Sequence, residues 1–232
     1  MGLFKKYRQK IRMVKSLRKY YRRGNRLTLV GADGNQIVNP KYFTGLKIKS
    51  CGTGNDITIE LPINIEKYLI LVLTDNTTVR IGRNTRFGEP SNICKSRGTA
   101  PNHVYIGRNC GIGQCTIDIT DHGNVEIGND CMFSWGIVFK TDDTHAVFDA
   151  TTGAILNKST GISVGNNVWI GMNATILKNS VVPDHTIVGA HSVVAGKFRD
   201  QYTVVAGNPA RVAKTGVNWS RQSIADYCAQ NP

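Results

Sequence analysis

The sequence has no run of eighteen apolar residues, so no helix that crosses a membrane is expected, and its basic N-terminus leads into no apolar stretch of the kind a secretory signal needs. The start Met1-Gly2-Leu3-Phe4-Lys5-Lys6 lacks the Ser or Thr at position 6 that N-myristoylation uses. Its six cysteines, Cys51, Cys94, Cys110, Cys115, Cys131 and Cys228, form no CxxC pair and show no zinc-ligand spacing. They are expected as reduced, mostly packed thiols of a cytoplasmic protein. No Ser-His-Asp or Cys-His arrangement is visible. Acidic residues are missing from residues 1 to 26, which carry eleven Lys or Arg, while the other 206 residues hold 18 basic and 16 acidic groups. The net charge of +13 therefore belongs almost entirely to one short appendage.

What is present is a period of six. From Ile162 to Lys197, Val164, Ile170, Ile176, Val182, Val188 and Val194 recur at that step, and Val168, Ala174, Ser180, Thr186 and Ser192 stand two residues before the next aliphatic. This spacing matches neither a helical face nor the alternation of an isolated strand. It predicts a hexapeptide-repeat β-helix, in which three hexads close a triangular coil and stacked coils supply the burial that one coil lacks. A looser form runs upstream in blocks containing Ile57, Val79, Val104, Val125 and Ile162, at intervals of 22, 25, 21 and 37 residues. The last interval predicts a long loop over residues 133–160, and long loops on rigid scaffolds are where function concentrates.

The expected organisation is a basic amphipathic helix at 1–26, a connecting segment at 27–45, the β-helix at 46–199 and an extension at 200–232. The extension is expected to hold a short helix between Val217 and Cys228, with Trp219 and Tyr227 packing back. In the appendage, Leu3, Phe4, Tyr7, Ile11, Val14, Leu17 and Tyr21 form one helical stripe flanked by cations. Such a helix suits an anionic membrane surface, each basic residue contributing about 1 kcal/mol. The competing reading is a helix that packs on a partner subunit, and nucleic acid is not expected as a partner.

Three passages resemble the bacterial hexapeptide-repeat acetyltransferases, in particular the O-acetyltransferases of capsular and lipopolysaccharide sugars. They are Asp142-Asp143-Thr144-His145 with Phe148-Asp149 and Thr152-Gly153, Ile162 to Gly171 with its Trp-Ile-Gly, and Val205-Ala206-Gly207-Asn208-Pro209-Ala210-Arg211. The resemblance spans about residues 46 to 215. It implies an all-β, left-handed parallel β-helix and a homotrimer with acetyl-CoA in grooves between neighbouring subunits. It also implies a sugar or polysaccharide acceptor, and the protein is expected in the cytoplasm, peripheral at the inner face of the membrane.

A sugar hydroxyl is barely ionised at neutral pH, so a base must take its proton as the oxygen attacks the thioester, a task suited to an ordinary imidazole. His145 is the candidate, on loop length and family motif together. His103, after the loop 91–102, comes second; His122, His185 and His191 read as solvated corner residues. Direct transfer needs no enzyme nucleophile and no metal is expected. Trp169, whose indole only donates, is the candidate partner of the oxyanion and equally an interface tryptophan, because strand alternation points it out of the prism. Asp142 and Asp143 are candidates to orient His145 or hold sugar hydroxyls. Lys178, Lys197 and Arg211 are candidates for coenzyme A phosphates or plain surface charges, and Gly171 and Ala190 would let the pantetheine arm approach the backbone. A nucleotide-sugar N-acetyltransferase is the alternative activity. A β-helix carbonic anhydrase is set aside because the histidine spacings give no three-ligand set, and a non-catalytic scaffold is the reading outside enzymology.

Overall fold

The computed structural model describes residues 17–50, 52–95, 98–120 and 123–231. The chain winds through three sheets in turn. The first holds eight strands, in spatial order Val181–Val182, Ile162–Val164, Val125–Ile127, Asn102–Ile106, Thr77–Ile81, Asp56–Glu60, Arg26–Val30 and Gln36–Val38. The second runs Ala210–Thr215, Thr203–Gly207, Ile187–Val188, Trp169–Ile170, Met132–Phe133, Gly111–Ile112, Arg86–Phe87 and Asn64–Ile65. The third runs Val193–Val194, Thr175–Leu177, Ile137–Lys140, Cys115–Ile119, Ser91–Lys95, Leu69–Leu73 and Leu46–Ser50. All neighbours within the sheets are parallel except the terminal pairs Arg26–Val30 with Gln36–Val38 and Thr203–Gly207 with Ala210–Thr215.

The upstream blocks lie in the register that their spacing predicts. Ile57 stands on Val79, Val79 on Val104, Val104 on Val125 and Val125 on Ile162. The six aliphatics of the strict repeat are each at most 3% exposed, and Val168, Ala174, Ser180, Thr186 and Ser192 are buried at the corners. Cys110, Cys115 and Cys131 occupy inward positions too, and burial pushes the Cys115 thiol up to about 12. Corners that turn through the left-handed region stack on each other: Asn84, Asn109, Asp130, Asn167 and His185 have φ between 52° and 60°. Asn and Asp tolerate that region because a short polar side chain can bond locally. Here the side chains also bridge coils, Asn84 Nδ2 donating to Asn109 Oδ1 and Asn109 Nδ2 to Asp130 Oδ1, both at 3.1 Å. His185 and His191, with φ 55° and 57°, are corner residues as expected, but His185 is half-buried rather than solvated, stacked on Tyr202 with ring centroids 4.6 Å apart.

The coils extend further at both ends than the hexads reveal. Arg26–Val30 pairs in parallel with Asp56–Glu60, so the first rung precedes Leu46 by some twenty residues. Thr203–Gly207 adds a last rung on Ile187–Val188. The long interruption is shorter than 133–160, because Phe133 and Phe139 are inward residues of regular coil strands, their rings 5.5 Å apart. Large aromatics in place of aliphatics hid that coil from the pattern. The excursion itself leaves the third sheet after Lys140 and rejoins the first at Ile162.

At the N-terminal end, residues 17–21 are helical and cap the prism. Leu17 and Tyr20 are each 1% exposed, and the Tyr20 hydroxyl donates to the carbonyls of Asn55 (3.1 Å) and Arg26 (3.2 Å). The Tyr21 hydroxyl donates to the Pro40 carbonyl at 2.9 Å. The last turn of the expected basic helix thus belongs to the core, and Arg26 to a strand; residues 1–16 of that helix lie outside the described residues, as do Cys51 and His122. At the other end a short helix covers Ile224–Gln230, capped by the Ser223 hydroxyl accepting from Asp226 N. Trp219 packs back on the coils as expected, but Tyr227 stays exposed. Among the described residues no helix is long and apolar enough to cross a membrane.

Candidate active site

The excursion is built as a supported arm. Its tip is a small hairpin in which Phe148 bridges Ile155 and Leu156 N donates to Val147 O at 2.8 Å. Asp149 closes the turn by accepting from Thr151 N (3.0 Å), Thr152 N (2.7 Å) and Thr152 Oγ1 (2.9 Å). Between tip and coils, residues 142–146 and 155–159 enclose an open pocket of about 230 Å³, lined by Asp142, Asp143, Thr144, His145, Asn157 and Lys158 among others. His145 is exposed there, and among the described residues its imidazole makes no hydrogen bond.

The carboxylates beside it are both engaged. Thr144 sits at φ 68°, a conformation that a β-branched residue adopts only under constraint, and its N–H donates to Asp142 Oδ1 at 2.8 Å. The other oxygen of Asp142 accepts from the Thr120 hydroxyl of the preceding coil. Asp143 pairs with Lys178 of the following coil and accepts from Asn157 Nδ2 at 2.8 Å. Lys178, and after it the Asn157 amide, holds the Asp143 carboxyl below the usual carboxylate range. Asn157 Nδ2 also donates to the His145 carbonyl at 2.8 Å, and Asn157 Oδ1 accepts from Val147 N at 2.9 Å. Thr120 and Asn157 carry no signal in the sequence; Asn157 stands 12 and 14 residues from the groups it binds, at a loop end with no repeat to mark it.

The other candidates fall into separate places. Trp169 lies in the second sheet, 38% exposed, its ring 6.1 Å from that of Trp219, whereas His145 follows a strand of the third sheet. Trp219 Nε1 donates to Asn167 O at 2.8 Å, and Arg221 Nη2 donates to Cys131 O at 2.9 Å, so a C-terminal strap runs along the second sheet. Gly171 and Ala190 are stacked corners: a Cβ on Gly171 would stand 2.6 Å from Ala190 N, so coil stacking alone demands the glycine. Lys178 is committed to Asp143. Lys197 lines a different pocket of about 200 Å³ on the first sheet, with Glu126, Ser163 and Asn179. Arg211 is exposed on the terminal hairpin, Nη1 donating to Ala210 O at 2.9 Å. His103 stacks on Tyr105, ring centroids 4.2 Å apart, and its Nε2 meets Glu126 Oε1 at 2.8 Å on the outside of the first sheet. Among the described residues no three His, Cys, Asp or Glu side chains converge as metal ligands.

Residues 161–196 match the family model described as bacterial transferase hexapeptide (six repeats). A polysialic acid O-acetyltransferase of Escherichia coli O1:K1 / APEC is 35% identical over 153 residues, 66% of this chain and 48% of that protein. A polysialic acid O-acetyltransferase of Neisseria meningitidis is 28% identical over 137 residues, 51% of this chain and 64% of that protein. The chain thus spans about half to two thirds of the length of these relatives. The crystal structure of the polySia-specific acetyltransferase NeuO superposes with a TM-score of 0.68 at 22% identity, covering 90% of this chain and 99% of that one. The fold is the left-handed parallel β-helix, and the resemblance to the bacterial hexapeptide-repeat acetyltransferases extends from the repeat to the architecture.

Proposed function

We propose that the protein is an acetyl-CoA-dependent O-acetyltransferase acting on a hydroxyl of a bacterial surface polysaccharide, capsular or lipopolysaccharide, or of its precursor. The observation that carries this reading is the exposed imidazole of His145 in a pocket whose two carboxylates, Asp142 and Asp143, are already paired. His145 takes the proton of the acceptor hydroxyl as its oxygen attacks the thioester carbonyl. The tetrahedral intermediate collapses with loss of the coenzyme A thiolate, which recovers the proton from the imidazolium. No covalent enzyme intermediate is required.

Trp169 would donate its indole N–H to the oxyanion. It stands on another sheet from the excursion, which supports a site that takes the two residues from neighbouring copies, in a homotrimer. The excursion offers a ridge for that contact: Val147, Phe148, Ile155 and Leu156 are 47–64% exposed. Such a cluster on an ordered hairpin is costly unless covered. Lys197 and Arg211 are the remaining cations for coenzyme A phosphates. Of the basic segment 1–26, residues 17–26 are taken up by the cap and the first strand, so residues 1–16 would hold the enzyme peripherally at the inner, anionic face of the membrane, where lipid-linked glycan precursors are concentrated.

The test is acetyl-CoA consumption against purified capsular and lipopolysaccharide glycans, beginning with polysialic acid, the acceptor in the names of its relatives. An ester product supports the reading, and an amide product replaces it with N-acetyl transfer. His145→Ala should lower turnover by about 10²–10⁴ with acetyl-CoA still bound. Full turnover in that variant would overturn the assignment of the base.

A further inference from the structure

One side chain ties together the residues that flank the candidate base. Asn157 donates to Asp143 Oδ2 and to the His145 carbonyl, both at 2.8 Å, and accepts from Val147 N at 2.9 Å. These bonds reach the residues before, at and after the imidazole. The hairpin tip does not depend on them, because Asp149 and the Phe148–Ile155 bridge support it separately. The coils below are held by their own ladders. Asn157 therefore constrains residues 143–147 and little else, and it does so against the strained backbone of Thr144.

We propose that Asn157 is a positioning residue for His145, holding the turn that aims the imidazole at the acceptor hydroxyl; this deepens the acetyl-transfer reading above and rests on it. Proton transfer tolerates little displacement, with productive geometry confined to about 0.5 Å and 10–20°. The His145 ring has no hydrogen-bond partner of its own among the described residues, so its aim is set by the backbone that carries it, and Asn157 holds that backbone.

The experiment compares Asn157→Ala and Asn157→Asp with the full wild-type chain. Asn157→Ala should lower kcat by about 10- to 100-fold while KM for acetyl-CoA and the melting temperature stay unchanged. Asn157→Asp keeps an acceptor for Val147 N but sets a carboxyl against Asp143. Two carboxylates so close cannot both ionise cheaply, and the protonated form restores one donor. The ratio of its activity to wild type should therefore rise as pH falls from 8 to about 5. Wild-type kcat in Asn157→Ala, or a loss that only tracks thermal stability together with a flat pH ratio, would overturn the proposal. If the wild-type chain transfers acetyl to no glycan, the function reading fails by itself. Hydrogen exchange then decides the clamp: amides of residues 143–147 should lose protection at least about tenfold in Asn157→Ala with coil amides unchanged, and unchanged protection at 143–147 refutes it.

Discussion

Lys178 stands between two roles, and replacing it with methionine separates them. In one role it binds a phosphate of coenzyme A; in the other it anchors the excursion through Asp143. The Lys178 side chain is 19% exposed and that of Asp143 44%, so the pair falls in the range of partly screened ion pairs, about 0.5–1 kcal/mol. Asn157 still holds Asp143 when the lysine is gone. Loss of the anchor should then reduce the competent population of the loop at most about fivefold, seen in kcat, with KM for acetyl-CoA unchanged. A lysine on a phosphate makes a charged hydrogen bond, and its loss costs about 1.5–3 kcal/mol, which would raise that KM by about 10- to 150-fold. Steady-state kinetics of Lys178→Met, Asp143→Asn and the double variant complete the cycle. In the anchor role the lysine substitution has no further effect once Asp143 is neutral. A rise in KM of equal size in both backgrounds would refute the anchor. The pair also has a pH signature. The folded Asp143 titrates below its ordinary value of 3.8, so its contribution is complete above that pH and is lost as pH falls through the lowered value. The anchor should therefore fail only in acid.

Further outcomes follow from the same geometry. Leu17→Ala should cost about 2–3 kcal/mol at the prism end, read as faster amide exchange at Leu27 and Leu29, whereas deletion of residues 1–16 should free the protein from anionic vesicles without that fraying; fraying in the deletion alone would contradict the cap. Thr144→Asn should relieve about 1 kcal/mol of left-handed strain and lengthen the lifetime of the excursion under limited proteolysis, and faster cleavage would show that the threonine is not strained. Gly128→Ala would set a Cβ 2.6 Å from the Gly165 carbonyl of the next coil, where backbone cannot yield, so thermal unfolding should show a loss of about 1–3 kcal/mol or more, and full tolerance would refute the stacking register.

The repeat was legible because each coil uses the same local rule. An inward aliphatic, a small corner and a residue tolerant of positive φ recur at fixed offsets, and stacking places like on like. The places where the reading drifted are those where another side chain does the same job. Phe133 and Phe139 fill the prism as aromatics, and Leu27 and Leu29 form a rung that a hairpin then interrupts. His145 could be singled out because its loop breaks the period. Asn157, Thr120 and the pairing of Asp143 with Lys178 could not, since these contacts span 12, 22 and 35 residues.

The sequence by itself determined the coil, its inward residues and the strand register, because neighbours along the solenoid axis are bound to repeat one another. Only the tertiary structure decided that the last turn of the basic segment is core, that Trp169 lies in the second sheet while His145 rides on an excursion from the third, and that the carboxylates beside His145 are already paired. The physical reason is that a repeat fixes distances along the axis, while a site depends on which corner a loop leaves from and which distant side chains close around it.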